Sequence, residues 1–172
     1  SEQARYDLES VLQQKETSLK TVLEGYLAQG REQPENPDVH YTIGLIYLSK
    51  GELPLAAKHF QQTLKLAPTF ASAWQNLGEA LQAPGEREAA RAAFQQAMRF
   101  QPDLLEAHQQ LGILEKEMGH LDAAMEQLQR ANQIAPDDAK THYHLGEVYH
   151  QKKQFNLAMT EYHTAIRLAS RE

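Results

Sequence analysis

Imidazole and carboxylate groups are the side chains in this sequence best equipped for metal or proton chemistry. His142, His144 and His150 lie close together. Two histidines chelate on one face of a helix when they are four residues apart. His142 and His144 are two apart and diverge, and His144 and His150 are six apart, so no metal site is expected. The chain has no cysteine, which excludes disulfides and thiolate ligands. It shows no glycine-rich phosphate loop, nucleophile elbow or isolated carboxylate pair. Glu86, Glu88 and Glu126 read as solvated helix charges. No catalytic residue and no cofactor is expected, and the chain reads as a protein that is not an enzyme.

The elements that place these side chains repeat every 34 residues. Glycine recurs at Gly44, Gly78, Gly112 and Gly146, alanine at Ala56, Ala90, Ala124 and Ala158, and proline at Pro68, Pro102 and Pro136. A bulky residue follows each alanine by four, as Phe60, Phe94, Leu128 and Tyr162. The spacing predicts two antiparallel helices, A then B, in each of the units 37–70, 71–104, 105–138 and 139–172. Turns are expected at Lys50-Gly51, Pro84-Gly85, Gly119-His120 and Lys152-Lys153. Gly51, Gly85 and Gly119 suit the left-handed conformation that ends a helix, and Lys153 takes that place under some strain. Each proline stops its B helix. At ~100° per residue, Trp74, Leu77, Gly78 and Leu81 share one face of helix A. There the glycine and the B-helix alanine admit a close approach. Leucine in place of Gly78 or Ala90 is expected to cost ~1–3 kcal/mol or more through overpacking.

The order Trp74, Leu77-Gly78, Leu81, Ala90, Phe94, Ala97 and Pro102 resembles the tetratricopeptide repeat pattern. The resemblance covers residues 37–172 and, more weakly, 17–36. It implies an all-α fold, an α-solenoid of antiparallel helix pairs forming a right-handed superhelix. Its concave surface, lined mainly by A helices, usually binds a peptide or an extended segment of another protein. Departures are modest: His40, His108 and His142 stand in the slot of Trp74, and Glu115 stands where Tyr47 and Tyr149 do. The N-terminal segment 1–36 has helical spacing in Leu8, Val11, Leu12, Lys15, Leu19, Val22, Leu23 and Tyr26. It reads either as one long helix or as a worn repeat with Ser10 in the glycine slot; its second half is expected to pack on the first full unit.

The A-helix face opposite the core carries the candidate groove: Tyr41, Leu45, Leu48, Gln75, Asn76, Glu79, Gln109, Lys116, Tyr143, His144 and Glu147. Amides there can pair with the backbone of an extended ligand. Tyr41, Leu45 and Leu48 form an apolar stripe at i, i+4 and i+7, a mark of either a binding site or a covered contact. The carboxylate clamp of chaperone-binding family members is not reproduced, because Gln75 and Glu79, or Gln109 and Ile113, stand at its positions. The asparagine ladder of the O-linked N-acetylglucosamine transferase arrays is also absent, since Thr42, Asn76, Gln110 and His144 occupy that row.

The last B helix presents Met159, Tyr162, Ile166 and Leu168 where an internal repeat would meet the next A helix. Either a longer array continues from there, or the face meets another subunit, which allows a homo-oligomer through terminal helix faces. The chain of 172 residues carries a net charge of −6. Its acidic balance argues against nucleic acid and anionic membranes as partners, because nucleic-acid binders show a basic stripe. It favours a neutral or basic protein segment. No apolar run reaches the ~20 residues of a membrane span. These features suggest a soluble protein and favour the cytoplasm; a periplasmic location would need a signal segment upstream of Ser1. Three roles fit: a non-catalytic interaction scaffold, a self-assembling structural platform, or the targeting arm of a larger enzyme.

Overall fold

The computed structural model describes residues 2–82 and 85–170, with side chains at Gln14 and from Thr17 onward. The side chains of Leu8, Ser10, Val11, Leu12 and Lys15, together with Pro84 of the second turn, Arg171 and Glu172, lie outside that description. The described residues form nine α-helices and no strand. They are α1 (Glu2–Glu32), α2 (Pro37–Ser49), α3 (Leu53–Leu66), α4 (Ala71–Ala80), α5 (Arg87–Phe100), α6 (Leu105–Glu117), α7 (Leu121–Ile134), α8 (Ala139–Gln151) and α9 (Phe155–Ala169).

Local chemistry accounts for the helix ends. The Asn36 side chain accepts the Asp38 N–H at 3.0 Å and caps α2. Asp138 does the same for α8 through Thr141 N at 2.6 Å. Pro37 and Pro54 sit in the first turns of α2 and α3, where a missing N–H costs nothing. Pro68, Pro102 and Pro136 each follow directly on the C-cap of α3, α5 and α7.

Helices α2–α3, α4–α5, α6–α7 and α8–α9 are the intimate pairs, and each B helix then packs on the following A helix. The result is an all-α solenoid rather than a closed globule. At each pair the glycine on helix A makes room for one bulky B-helix side chain. A Cβ on Gly44 or Gly146 would lie 2.6 Å from the ring of Phe60 or Tyr162. On Gly78 it would lie 2.8 Å from Phe94, and on Gly112 it would lie 2.7 Å from Leu128. Ala56, Ala90, Ala124 and Ala158 are buried beside them.

Residues 2–32 form one uninterrupted helix, so no A–B turn occurs in this segment. Its second half packs Leu19, Leu23, Tyr26 and Leu27 on Val39, Ile43 and Ile46 of α2.

Three interhelix turns share one geometry, with Gly51, Gly119 and Lys153 at φ of 73°, 83° and 61°. The expectation for Gly85 is corrected: it is not the residue that ends helix A of its unit. Helix α4 ends at Ala80 with Leu81 as its C-cap. Gly85 therefore stands several residues beyond the helix end, not next to the cap as Gly51 and Gly119 do.

Candidate peptide-binding surface

The A helices α2, α4, α6 and α8 present the predicted groove residues, and tertiary contact sorts them into two sets. In the first set, side chains read as free are spent on joining neighbouring repeats. Asn76 is buried and its Nδ2 donates to Tyr41 Oη at 3.0 Å. Gln109 is buried and donates to Asp138 Oδ2 at 2.7 Å and Thr141 Oγ1 at 2.8 Å. These two placements correct the sequence reading of Asn76 and Gln109 as exposed amides. The registry of one A helix against the next covers them, a relation between residues some thirty apart. Lys116 and His144 both engage Glu147, with Lys116 Nζ at 2.6 Å and His144 Nδ1 at 2.7 Å from the same Oε2.

The electrostatics of this trio are self-consistent. Burial opposes charge on Glu147, but the hydrogen bonds from Lys116 and His144 outweigh it and hold the carboxyl below its usual range. Burial, with the cationic Lys116 and Lys140 nearby, keeps His144 below the ordinary histidine value despite its bond to Glu147. At neutral pH the trio is thus a lysine–carboxylate pair with a neutral imidazole donating to the carboxylate.

The second set remains accessible. Leu45 and Tyr143 are exposed, Tyr143 by 49%. Glu79 is exposed and Gln75 partly so. Tyr41 and Leu48 are half-buried: the Tyr41 ring lies 4.7 Å from Phe70 and 5.9 Å from Phe60. The apolar stripe Tyr41-Leu45-Leu48 is therefore a floor with one free leucine.

The Trp slot does more than pack. The ring N–H of Trp74 donates to the carbonyl of Pro68 at 2.8 Å. His40, His108 and His142 direct Nε2 at the carbonyls of Pro34, Pro102 and Pro136, at 3.0, 2.9 and 2.9 Å. A carbonyl only accepts, so each of these nitrogens carries the proton. Sequence reasoning took these residues as fillers. The available signal was that tryptophan and histidine share a ring N–H, and that each follows a proline by six residues.

The second imidazole nitrogen then meets the residue nineteen further on. His40 Nδ1 faces His59 Nδ1 at 3.4 Å, His108 faces Gln127 at 3.0 Å, and His142 faces Glu161 at 2.6 Å. Trp74 has no such nitrogen, and the residue at that spacing is the buried Ala93. His142 and His144 consequently turn to different partners, as their spacing predicts.

In the sequence Glu115 reads only as a departure from the aromatic of Tyr47 and Tyr149. It is buried, with Arg91 Nε of α5 at 2.7 Å and His120 Nδ1 at 2.8 Å. The pair ties the second unit to the third.

At the α9 end, Met159 and Ile166 are exposed and Tyr162 is half-buried. Leu168 is corrected: it is buried. Two residues beyond Ile166 it lies about 200° around the helix, on the inner side.

Helix pairs in tandem, each with glycine under a bulky B-helix side chain, define a tetratricopeptide-type solenoid. A family model described as TPR repeat matches residues 44–85 and 114–153. A second, described as Tetratricopeptide repeat, matches residues 71–104 and 139–172. Together they take in most of the sequence, and the chain belongs to the tetratricopeptide repeat family. Among solved structures it is similar to MamA from Desulfovibrio magneticus, with 22% identity and a TM-score of 0.83 over 92% of this chain and 89% of that one. It is also similar to YrrB, described as a TPR protein with an unusual peptide-binding site, with 22% identity and a TM-score of 0.74 over 91% and 81%. A thermophilic TPR protein of Thermus thermophilus shares 21% identity and a TM-score of 0.73 over 94% and 89%. At these identities the likeness speaks for the fold. No curated protein matches the chain. Among the described residues no helix is long and apolar enough to cross a membrane.

Proposed function

We propose that this protein is a non-catalytic interaction scaffold whose A-helix face binds a neutral or basic extended segment of a partner protein. The carrying observation is the exposure of Leu45, Glu79 and Tyr143 along a face where Asn76, Gln109, Lys116 and Glu147 are already engaged with neighbouring side chains. Leu45 and Tyr143 supply apolar contacts at the two ends. Gln75 and Glu79 supply an amide and a carboxylate between them. The Lys116–Glu147–His144 trio is a preformed wall, so little ordering cost remains on the scaffold side. The neighbouring fold YrrB is described as having a peptide-binding site, which supports the same use here.

Selection of binders from a random-peptide display library tests the reading. Peptides enriched on the wild-type chain are expected to lose about tenfold or more in affinity against Leu45→Glu or Tyr143→Ala, as central contacts do. Glu79→Lys is expected to reverse a preference for basic peptides. Undiminished binding by all three variants, with helix content intact, would place the site elsewhere.

A further inference from the structure

The face by which each B helix meets the following A helix is a stripe at i, i+4, i+7 and i+11. In α3 it starts at the half-buried Leu53 and continues through Ala57, Phe60 and Leu64, which join a core with Ala73 and Leu77 of α4. In α5 it begins at Arg87 and Arg91, paired with Glu117 and Glu115 of α6. In α7, Leu121, Met125 and Leu128 cluster with Leu145 and Val148 of α8. In α9 the same stripe is Phe155, Met159, Tyr162 and Ile166. Phe155, Met159 and Ile166 are 58%, 59% and 67% exposed, with no cover among the described residues.

The three covered stripes show what such a face accepts. Each covering A helix brings a small residue, an aliphatic one four later and another three after that. These are Ala73, Leu77 and Ala80; Ala107, Leu111 and Leu114; and Thr141, Leu145 and Val148, all buried.

One exposed stripe elsewhere in the molecule repeats this chemistry. Ser18, Val22 and Gly25 on α1 are small, aliphatic and small at the same spacing, and all three are exposed. Gly25 is the anomaly. A Cβ there would meet nothing within 4 Å, whereas a Cβ on each of the helical glycines Gly30, Gly44, Gly78, Gly112 and Gly146 would meet a side chain. Glycine inside a helix is destabilising unless something approaches closely. Among the described residues nothing approaches Gly25.

We propose that the α9 stripe of one molecule is covered by the Ser18–Val22–Gly25 face of α1 of a second copy. The bulky Met159, Tyr162 and Ile166 lie along that face, with Gly25 leaving room for one of them, as Phe60 and Leu64 share one core with Ala73 and Ala80 inside the molecule. The contact is heterologous, so each added copy leaves one face of each kind open, and the assembly grows head to tail or closes as a ring.

Sedimentation velocity on the full chain tests this. The wild type is expected to grow in size across the micromolar range. Met159→Glu/Ile166→Glu blocks one face and Val22→Glu/Gly25→Glu blocks the other, and each variant alone is expected to sediment as a monomer. An equimolar mixture of the two is expected to give a dimer and nothing larger, because one intact face of each kind remains. Gly25→Glu is expected to leave the melting temperature undiminished while weakening assembly, which separates a contact role from a folding role. A wild type that stays monomeric throughout overturns the proposal. So does assembly lost in the α9 variant but retained in the α1 variant, which would mean that α9 pairs with itself.

Discussion

The indole Nε1–H of Trp74 donates to the carbonyl of Pro68 at 2.8 Å, and three histidines reproduce that bond in the other repeats. The bond satisfies a backbone carbonyl at the point where a B helix has stopped and the next A helix begins. Trp74→Phe keeps an aromatic ring and removes the donor. It is expected to cost about 0.5–1.5 kcal/mol, the net worth of one hydrogen bond whose exposed carbonyl water can take over. Trp74→His keeps the donor and is expected to cost less than Trp74→Phe despite its smaller ring. Equilibrium urea unfolding of the two variants decides this; a cheaper phenylalanine would show that ring volume, not the hydrogen bond, governs the slot.

The histidine repeats respond to pH in opposite senses. For His142, burial opposes protonation, but the bonds to Glu161 and the Pro136 carbonyl and the charges of Glu161 and Asp138 outweigh it. Its pKa is raised above 6.5. Its contribution to stability is full below that unfolded value and is lost as pH rises through the folded pKa. For His59, burial first, then the charges of His40 and Lys58, lower the pKa below 6.5. Its contribution is present above the unfolded value and is lost as pH falls through the folded one. The destabilisation caused by Glu161→Gln is therefore expected to shrink as pH rises from acid to alkaline, while that caused by His59→Gln is expected to shrink as pH falls. Unfolding series across the histidine range, with imidazole NMR titration, check both signs.

Lys153 occupies the left-handed turn position that Gly51 and Gly119 fill elsewhere, with the same backbone bonds around it. An L residue there costs roughly 1–2 kcal/mol, offset in part by the greater chain entropy of an unfolded glycine. Lys153→Gly is expected to stabilise the fold by about 1 kcal/mol, read as a raised urea midpoint with an unchanged slope. No change would mean that the Lys153 side chain contributes as much as its backbone costs.

The 34-residue period, the glycine beneath each bulky B-helix residue and the helix ends were legible because they depend on residues near in sequence. Gly44 and Phe60 belong to one helix pair, and Pro68 ends its helix wherever that helix lies. The turn at Gly85 was misread for a related reason: its form depends on where α4 stops, which the repeat spacing alone leaves open. The groove was legible as a face and not as a set of free groups. Whether Asn76 meets solvent or Tyr41 depends on how α4 is registered against α2, and Gln109 depends in the same way on α8. Such contacts join side chains about one repeat apart and require an angle between units that no single unit contains. The same holds at the end of the array. Helical periodicity places Met159 and Ile166 on one face and turns Leu168 inward, but only the packed array tells which of the two sides is covered. The sequence by itself determined the repeat, the helix pairs and the packing inside each pair, because local sterics and hydrophobic spacing set them. The tertiary structure decided which polar groups are consumed between repeats and which surfaces stay open, because burial there is a property of neighbouring units packed together.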